Sequence, residues 1–335
     1  MAKEILVVGV GSIGERHVRC FGQLPGITVS ACEINEGLLA RIKEKYRLRQ
    51  TFTDWNSIPL EQFYAVVICT PANLHVPMIR RALEHSCHVL CEKPLAVDLA
   101  GVEEMIEFAE SSDRVTAVAY VWRCNAALHA FKAIVDSGTL GQIQQMAACW
   151  GQEFPRYRPA YADIYYKDHK TGGGALQDAV THIVNFLEWI LGPTSEVFCL
   201  ADHLVLPKVQ VEDTASLTLK FKDRPMIGTL TLNQFQKHDE GTVQFAGTKT
   251  SARFDYTKWT VEVFDVEQRI WQGKSYPIYE RDEMYITQAQ AFLDGVEKGV
   301  PRPCSLRDAF GTLKTIQAAF RSWQTGRMVR VDDGG

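Results

Sequence analysis

Charge of one sign in excess is missing from this sequence: 36 Lys and Arg stand against 40 Asp and Glu, a formal net charge of -4. Wrapping nucleic acid or coating an anionic membrane calls for a basic surplus, so neither is an expected partner. Long apolar runs are missing too, none approaching the ~18 residues of a membrane-spanning helix. The start, Met1-Ala2-Lys3-Glu4, passes straight into an apolar strand at 5–8, with neither the longer apolar region nor the small-residue cleavage site of a secretory signal. The nine cysteines are an odd number and contain no Cys-x-x-Cys pair. Cys20, Cys69 and Cys149 sit in apolar runs, where a thiol packs as a small hydrophobe. His85, Cys87, His88 and Cys91 invite a zinc reading, but a strand running through 87–91 would not wrap an ion. Repeats and low-complexity tracts are absent. The expectation is a reduced, metal-free, cytoplasmic protein whose partners are small molecules and copies of itself.

What is present is length and pattern. A chain of 335 residues, 46% hydrophobic, has room for two domains. The first ~120 residues alternate short apolar runs with helical spacing, which predicts an α/β domain with a doubly wound parallel sheet. Strands are expected at 5–8, 28–32, 65–69, 88–91 and 115–121. Helices are expected after 13, at 38–46, about 75–86 and 99–109. Beyond Arg123 the pattern changes. A helix at 126–135 stops at Ser137-Gly138, and a loop rich in Tyr and Arg, 154–170, leads into Gly172-Gly173-Gly174. A helix at 175–191 ends at Gly192-Pro193. Alternation from 197 to 264 predicts an open, mostly antiparallel sheet, followed by helices at about 284–297 and 306–323. This divides the chain into a domain at 1–122 and an α+β domain at 123–335, whose last helices can pack back on the first domain.

Gly9-Val10-Gly11-Ser12-Ile13-Gly14 follows the first strand and opens a helix. Gly9, Gly11 and Gly14 permit a tight turn and close approach of a pyrophosphate, received by backbone N–H groups at Ser12, Ile13 and Gly14. Glu33 lies 33 − 14 = 19 residues after the last glycine, at the end of the second strand. A carboxylate there accepts the adenosine ribose hydroxyls and repels a 2'-phosphate, so NAD is expected rather than NADP. Two further segments leave strands at the crevice edge of the sheet: Thr70, Pro71, Asn73 and His75 after the third, Glu92, Lys93 and Pro94 after the fourth. All but Pro94 are candidate cofactor contacts. Alone, Lys93 would read as a solvated charge; at this edge it reads as catalytic. Asp178 and His182 are four apart on one helix face, either a catalytic pair or a core histidine satisfied by a carboxylate.

Taken together these blocks resemble the Gfo/Idh/MocA family of dehydrogenases (glucose–fructose oxidoreductase, inositol dehydrogenase and rhizopine catabolism). The match runs from the glycine turn through 67–71 with His75, the block 88–95, Arg123, Asp136-Ser137-Gly138 with Gly141, and Gly172 to Gly192. The resemblance implies a Rossmann domain followed by a domain on a large open sheet, commonly the oligomer interface. It implies a cis peptide before Pro94, and Lys93, Asp178 and His182 around the reacting carbon of a sugar, nucleotide sugar or cyclitol. Asn185 stands where many members carry an acid, and Cys124 where an aromatic is common.

The expected reaction moves a hydride between NAD(H) and a secondary alcohol carbon. His182 is the candidate general base, Lys93 stabilises charge on the same oxygen, and Asp178 orients His182 or holds a neighbouring hydroxyl. His182 and Lys93 are both able to give the proton in reverse. Arg123, Tyr157, Arg158 and Tyr161 either shape a polyol pocket or belong to an ordinary loop. Two other readings are an NAD-dependent glycosidase using transient oxidation and a non-catalytic NAD-binding regulator. Phe198, Leu200, Leu204 and Leu206 exceed what one sheet face can hide, which predicts a homodimer or homotetramer through the second domain.

Overall fold

Buried backbone must find its hydrogen bonds in helices or paired strands, and this chain does so around two separate sheets. The computed structural model describes residues 3–277 and 282–332. It divides into two compact units, the first comprising 3–96, 100–124 and 282–309, the second 97–99, 125–277 and 310–332.

In the first unit the chain runs β1 (Lys3–Val8), α1 (Ser12–Phe21), β2 (Ile27–Cys32), α2 (Glu36–Lys45) and β3 (Leu48–Phe52). It continues through β4 (Ala65–Ile68), α3 (His75–Glu84), β5 (His88–Cys91), α4 (Val102–Glu110) and β6 (Thr116–Val118). The six strands are parallel in the order β3-β2-β1-β4-β5-β6. The order reverses between β1 and β4, and in such sheets ligands bind beyond the carboxyl ends of the strands at that point. β1, β4 and β5 are almost fully buried, as strands covered on both faces must be. β3 was not expected from the sequence: of its residues Leu48, Arg49, Gln50, Thr51 and Phe52, only two are apolar.

The second unit holds α5 (Ala126–Asp136), β7 (Ile143–Glu153), α6 (Phe154–Tyr157), a π-helical turn (Leu176–Val180) and α7 (Thr181–Leu191). The strands β8 (Thr194–Asp202), β9 (Thr214–Phe221), β10 (Arg224–Asn233), β11 (Phe235–Gly247), β12 (Ser251–Asp255), β13 (Thr260–Asp265) and β14 (Ile270–Ser275) follow. α8 (Glu283–Lys298) belongs to the first unit, α9 (Leu306–Thr325) begins there and ends in the second, and β15 (Val329–Arg330) closes the chain. The second sheet has the order β14-β13-β12-β11-β7-β10-β9-β8-β15. Every pairing is antiparallel except β10 with β7.

One face of that sheet buries Leu217, Leu219, Leu230, Leu232, Val243, Phe245 and Phe254, while Thr229 and Thr231 between them are exposed. Helices cover the apolar face: Phe131 of α5 stacks on Phe245 with centroids 4.9 Å apart. Leu200 and Leu204 are exposed, but Leu206 is not surplus as the sequence suggested. It closes a local core with Phe154, Tyr161 and Tyr166. In the first unit, α8 adds Ala289, Phe292 and Leu293 to the core made by β1, β2 and α1.

Candidate active site

Gly9 leaves β1 at φ +82°, a left-handed conformation, and a Cβ there would stand 2.9 Å from the Cys69 carbonyl oxygen. At Gly14 a Cβ would lie 1.8 Å from the Gly9 carbonyl oxygen, so α1 can begin this close to the turn only without a side chain. A Cβ on Gly11 would meet nothing within 4 Å. Gly11 is the N-cap of α1 and carries no side chain, so a ligand can approach the start of the helix closely, where the backbone N–H groups of Ser12, Ile13 and Gly14 form the first turn. That is the cradle a pyrophosphate fills. Glu33, half-buried at the end of β2, accepts the Val10 N–H at 2.9 Å and the Asn35 N–H at 3.0 Å. Its carboxylate is thereby held against the glycine turn, and the residues present fit a dinucleotide.

Thr70, Pro71 and Asn73 follow β4 at the same edge of the sheet; Pro71 and Asn73 are exposed and Thr70 half-buried. His75 is fully buried instead. Its Nδ1 lies 2.9 Å from Pro94 O and its Nε2 2.9 Å from Thr70 O. The ring thus stands between the segments that follow β4 and β5; burial pushes its pKa down, and the neutral ring donates to one of the two carbonyls. Glu92 is buried and accepts from His17 at 2.8 Å; Lys93 N–H donates to its other oxygen at 3.1 Å. Lys93 is half-buried, and the Lys93–Pro94 peptide is cis, as the resemblance implied. Arg123 is buried, with Nη1 donating to Pro303 O at 3.2 Å and 3.4 Å from Asp308 Oδ2. The four suspected metal ligands are committed elsewhere: His85 to Glu61, Cys87 to Leu60 O, His88 to the Val115 N–H, and Cys91 inside β5.

In the second unit, the triple glycine prepares the helix that carries Asp178 and His182. A Cβ at Gly173 would stand 2.1 Å from Tyr166 O, and one at Gly174 2.6 Å from both carboxylate oxygens of Glu212. Glu212 is wholly buried. It accepts the Leu176 N–H at 2.8 Å and pairs with His169 at 2.5 Å, which raises the His169 pKa. A buried carboxylate thus anchors the start of the helix. Asp178 lies in the π turn and His182 in the first turn of α7; both are half-buried. The sequence reading had one regular helix here. π turns are single-turn features frequent at functional sites. Tyr165, which sequence reasoning passed over, donates to Asp178 Oδ1 at 2.8 Å. Tyr157 is exposed and bonds Asp239, Arg158 is half-buried, and Tyr161 is buried with its hydroxyl on Pro207 O at 2.7 Å. Asn185 is buried and donates to Thr312 Oγ1 at 3.0 Å.

Two family models match consecutive stretches of the chain. The oxidoreductase family with an NAD-binding Rossmann fold matches 3–120, and the GFO/IDH/MocA C-terminal domain matches 128–253. The chain belongs to the GFO/IDH/MocA family of oxidoreductases. A similar sequence is the myo-inositol 2-dehydrogenase of Thermotoga maritima, 24% identical over 98% of both chains. A levoglucosan dehydrogenase in complex with NADH and levoglucosan has the same fold, with TM-score 0.89 and 20% identity over 99% of this chain and 100% of that one. So has a putative NADPH-dependent oxidoreductase of Desulfitobacterium hafniense, TM-score 0.86 and 16% identical, covering 100% and 99%.

Proposed function

We propose that this oxidoreductase transfers a hydride between NAD(H) and a secondary alcohol carbon of a sugar, nucleotide sugar or cyclitol. The observation that carries this reading is the common edge of the first sheet. There the glycine cradle after β1, the carboxylate of Glu33 after β2 and the Lys93 segment after β5 all emerge. The myo-inositol and levoglucosan dehydrogenases similar to this chain support the substrate class. Glu33, already bonded to the glycine turn, favours NAD over NADP because a 2'-phosphate would bring a second negative charge to it. Ile34, 84% exposed beside Glu33, offers an apolar surface to the adenine.

When bound, the nicotinamide accepts or returns the hydride. Lys93 supplies a positive charge to the substrate oxygen as negative charge develops there. His182 takes the proton from that oxygen during oxidation, and Asp178, held by Tyr165, orients His182 or a neighbouring hydroxyl. In reduction His182 or Lys93 returns the proton. Arg158 and Tyr157 border the same loop and are candidate contacts for substrate hydroxyls. Incubation with NAD+ and a panel of inositols, sugars and nucleotide sugars should accumulate NADH with at least one of them. Bond cleavage of a glycoside without net NADH would point to the glycosidase, and binding of NAD+ without turnover of any polyol to the regulator.

A further inference from the structure

A lysine leaves the backbone on a long flexible stem, so what the fold can fix is the peptide from which it departs. Lys93 is fixed on both sides. Its N–H donates to Glu92 Oε2 at 3.1 Å, and the His75 ring stands 2.9 Å from the next carbonyl, Pro94 O. Glu92 is only 6% exposed, and a buried carboxylate keeps its place only when its oxygens are hydrogen-bonded. Oxygen Oε1 finds that partner in His17 Nε2 at 2.8 Å. His17 is wholly buried on α1, edge-on to Tyr285 with centroids 5.8 Å apart and 6.2 Å from the Phe21 ring. The same helix begins at the glycine turn, so one rigid element carries both the cradle and the donor that holds Glu92.

We infer that His17 is a positioning residue for Lys93, acting through the Glu92 carboxylate. The inference rests on the reading of Lys93 as catalytic. In the chain His17–Glu92–Lys93 only the last member touches substrate. The first two set where its stem starts, and a shift of about 1 Å there is enough to cost ~10²-fold in rate.

The test compares two polar variants that differ in reach. In His17→Gln the amide nitrogen falls near the ring Nε2 position and keeps the bond to Glu92; in His17→Asn it is one methylene short. Hydrogen exchange of the Lys93 amide, which needs no substrate, should be as slow in His17→Gln as in the wild type and about tenfold or more faster in His17→Asn. With NAD+ and the polyol that the wild type oxidises, kcat should fall about tenfold or more in His17→Asn and stay within about threefold in His17→Gln. NADH affinity, read by fluorescence, should change less than kcat. On a Lys93→Met background His17→Asn should add no further loss, because the two act as one unit. Equal exchange and equal turnover in the two variants would overturn the proposal, as would a full additional loss on the Lys93→Met background. If His17→Asn fails to fold, Glu92→Ala carries the test. It leaves neither His17 nor the Lys93 N–H an acceptor, so wild-type turnover in it overturns the proposal. Failure of the underlying reading shows separately, as wild-type turnover in Lys93→Met alone.

Discussion

Glu33 accepts two hydrogen bonds from backbone N–H groups, at 2.9 and 3.0 Å, which fixes the direction its remaining lone pairs face. Removing the carboxylate should therefore change cofactor preference more than fold. Glu33→Ser is expected to weaken NAD(H) by ~1.5–3 kcal/mol, roughly ten- to hundredfold, and NADP(H) far less. Titration of both cofactors checks this, and a wild type that prefers NADP(H) would refute the assignment. For the chemistry, Lys93→Met should cut turnover about a hundredfold or more, and His182→Ala by ~10² to 10⁴, with NADH still bound through the cradle and Glu33. Turnover and NADH affinity measured on the same folded variants decide it: near-wild-type turnover removes the role. Lys93, Asp178 and His182, the residues proposed to act on the substrate, stand out in the sequence because motif and spacing carry them. His17, Tyr165 and Glu212 do not. Each acts through a partner distant in sequence (75, 13 and 36 residues away), and no local pattern encodes such pairs.

Elements show the same division. β1, β4 and β5 were readable from the apolar residues at 5–8, 65–68 and 89–91, whereas β7 was missed although it lies at the centre of its sheet. The cause is a bulge: Ala246 pairs with Gln145 but Gly247 with Ile143, so Gln144 is an extra residue. Gln144 and Gln145 are both exposed, and the period-2 alternation resets between them. β5 also carries a titration. His88 is buried with Nδ1 accepting the Val115 N–H at 2.9 Å, and burial lowers its pKa from 6.5 to about 4. Between those values the unfolded chain holds a proton that the folded one excludes. The ring's contribution to stability is thus full above pH 6.5 and is lost as the pH falls through 4, by at most about 3 kcal/mol. His88→Asn keeps an acceptor for the Val115 N–H but does not titrate. Urea denaturation at pH 7 and pH 4 should show a smaller acid loss in that variant; an equal loss would mean that other groups dominate.

At the scale of the whole molecule, exposed apolar side chains lie on strands of the second sheet, with Leu200 59% and Ile227 56% exposed. A homodimer or homotetramer through that sheet would cover them. Light scattering should return a multiple of 37.7 kDa at micromolar concentration; a monomer throughout would refute it. The first unit has a different dependence, on time. Its core is finished by Ala289, Phe292 and Leu293 of α8, encoded after nearly all of the second unit. A ribosome must therefore translate most of the chain before the cofactor-binding half can close. Until then the early strands wait with an uncovered apolar face, a natural client surface for chaperones. Translation stopped at residue 124 should yield a protease-sensitive, aggregating product, and a separate peptide spanning 282–309 should raise its protease resistance. A fragment already resistant by itself would mean that α8 is dispensable to that core.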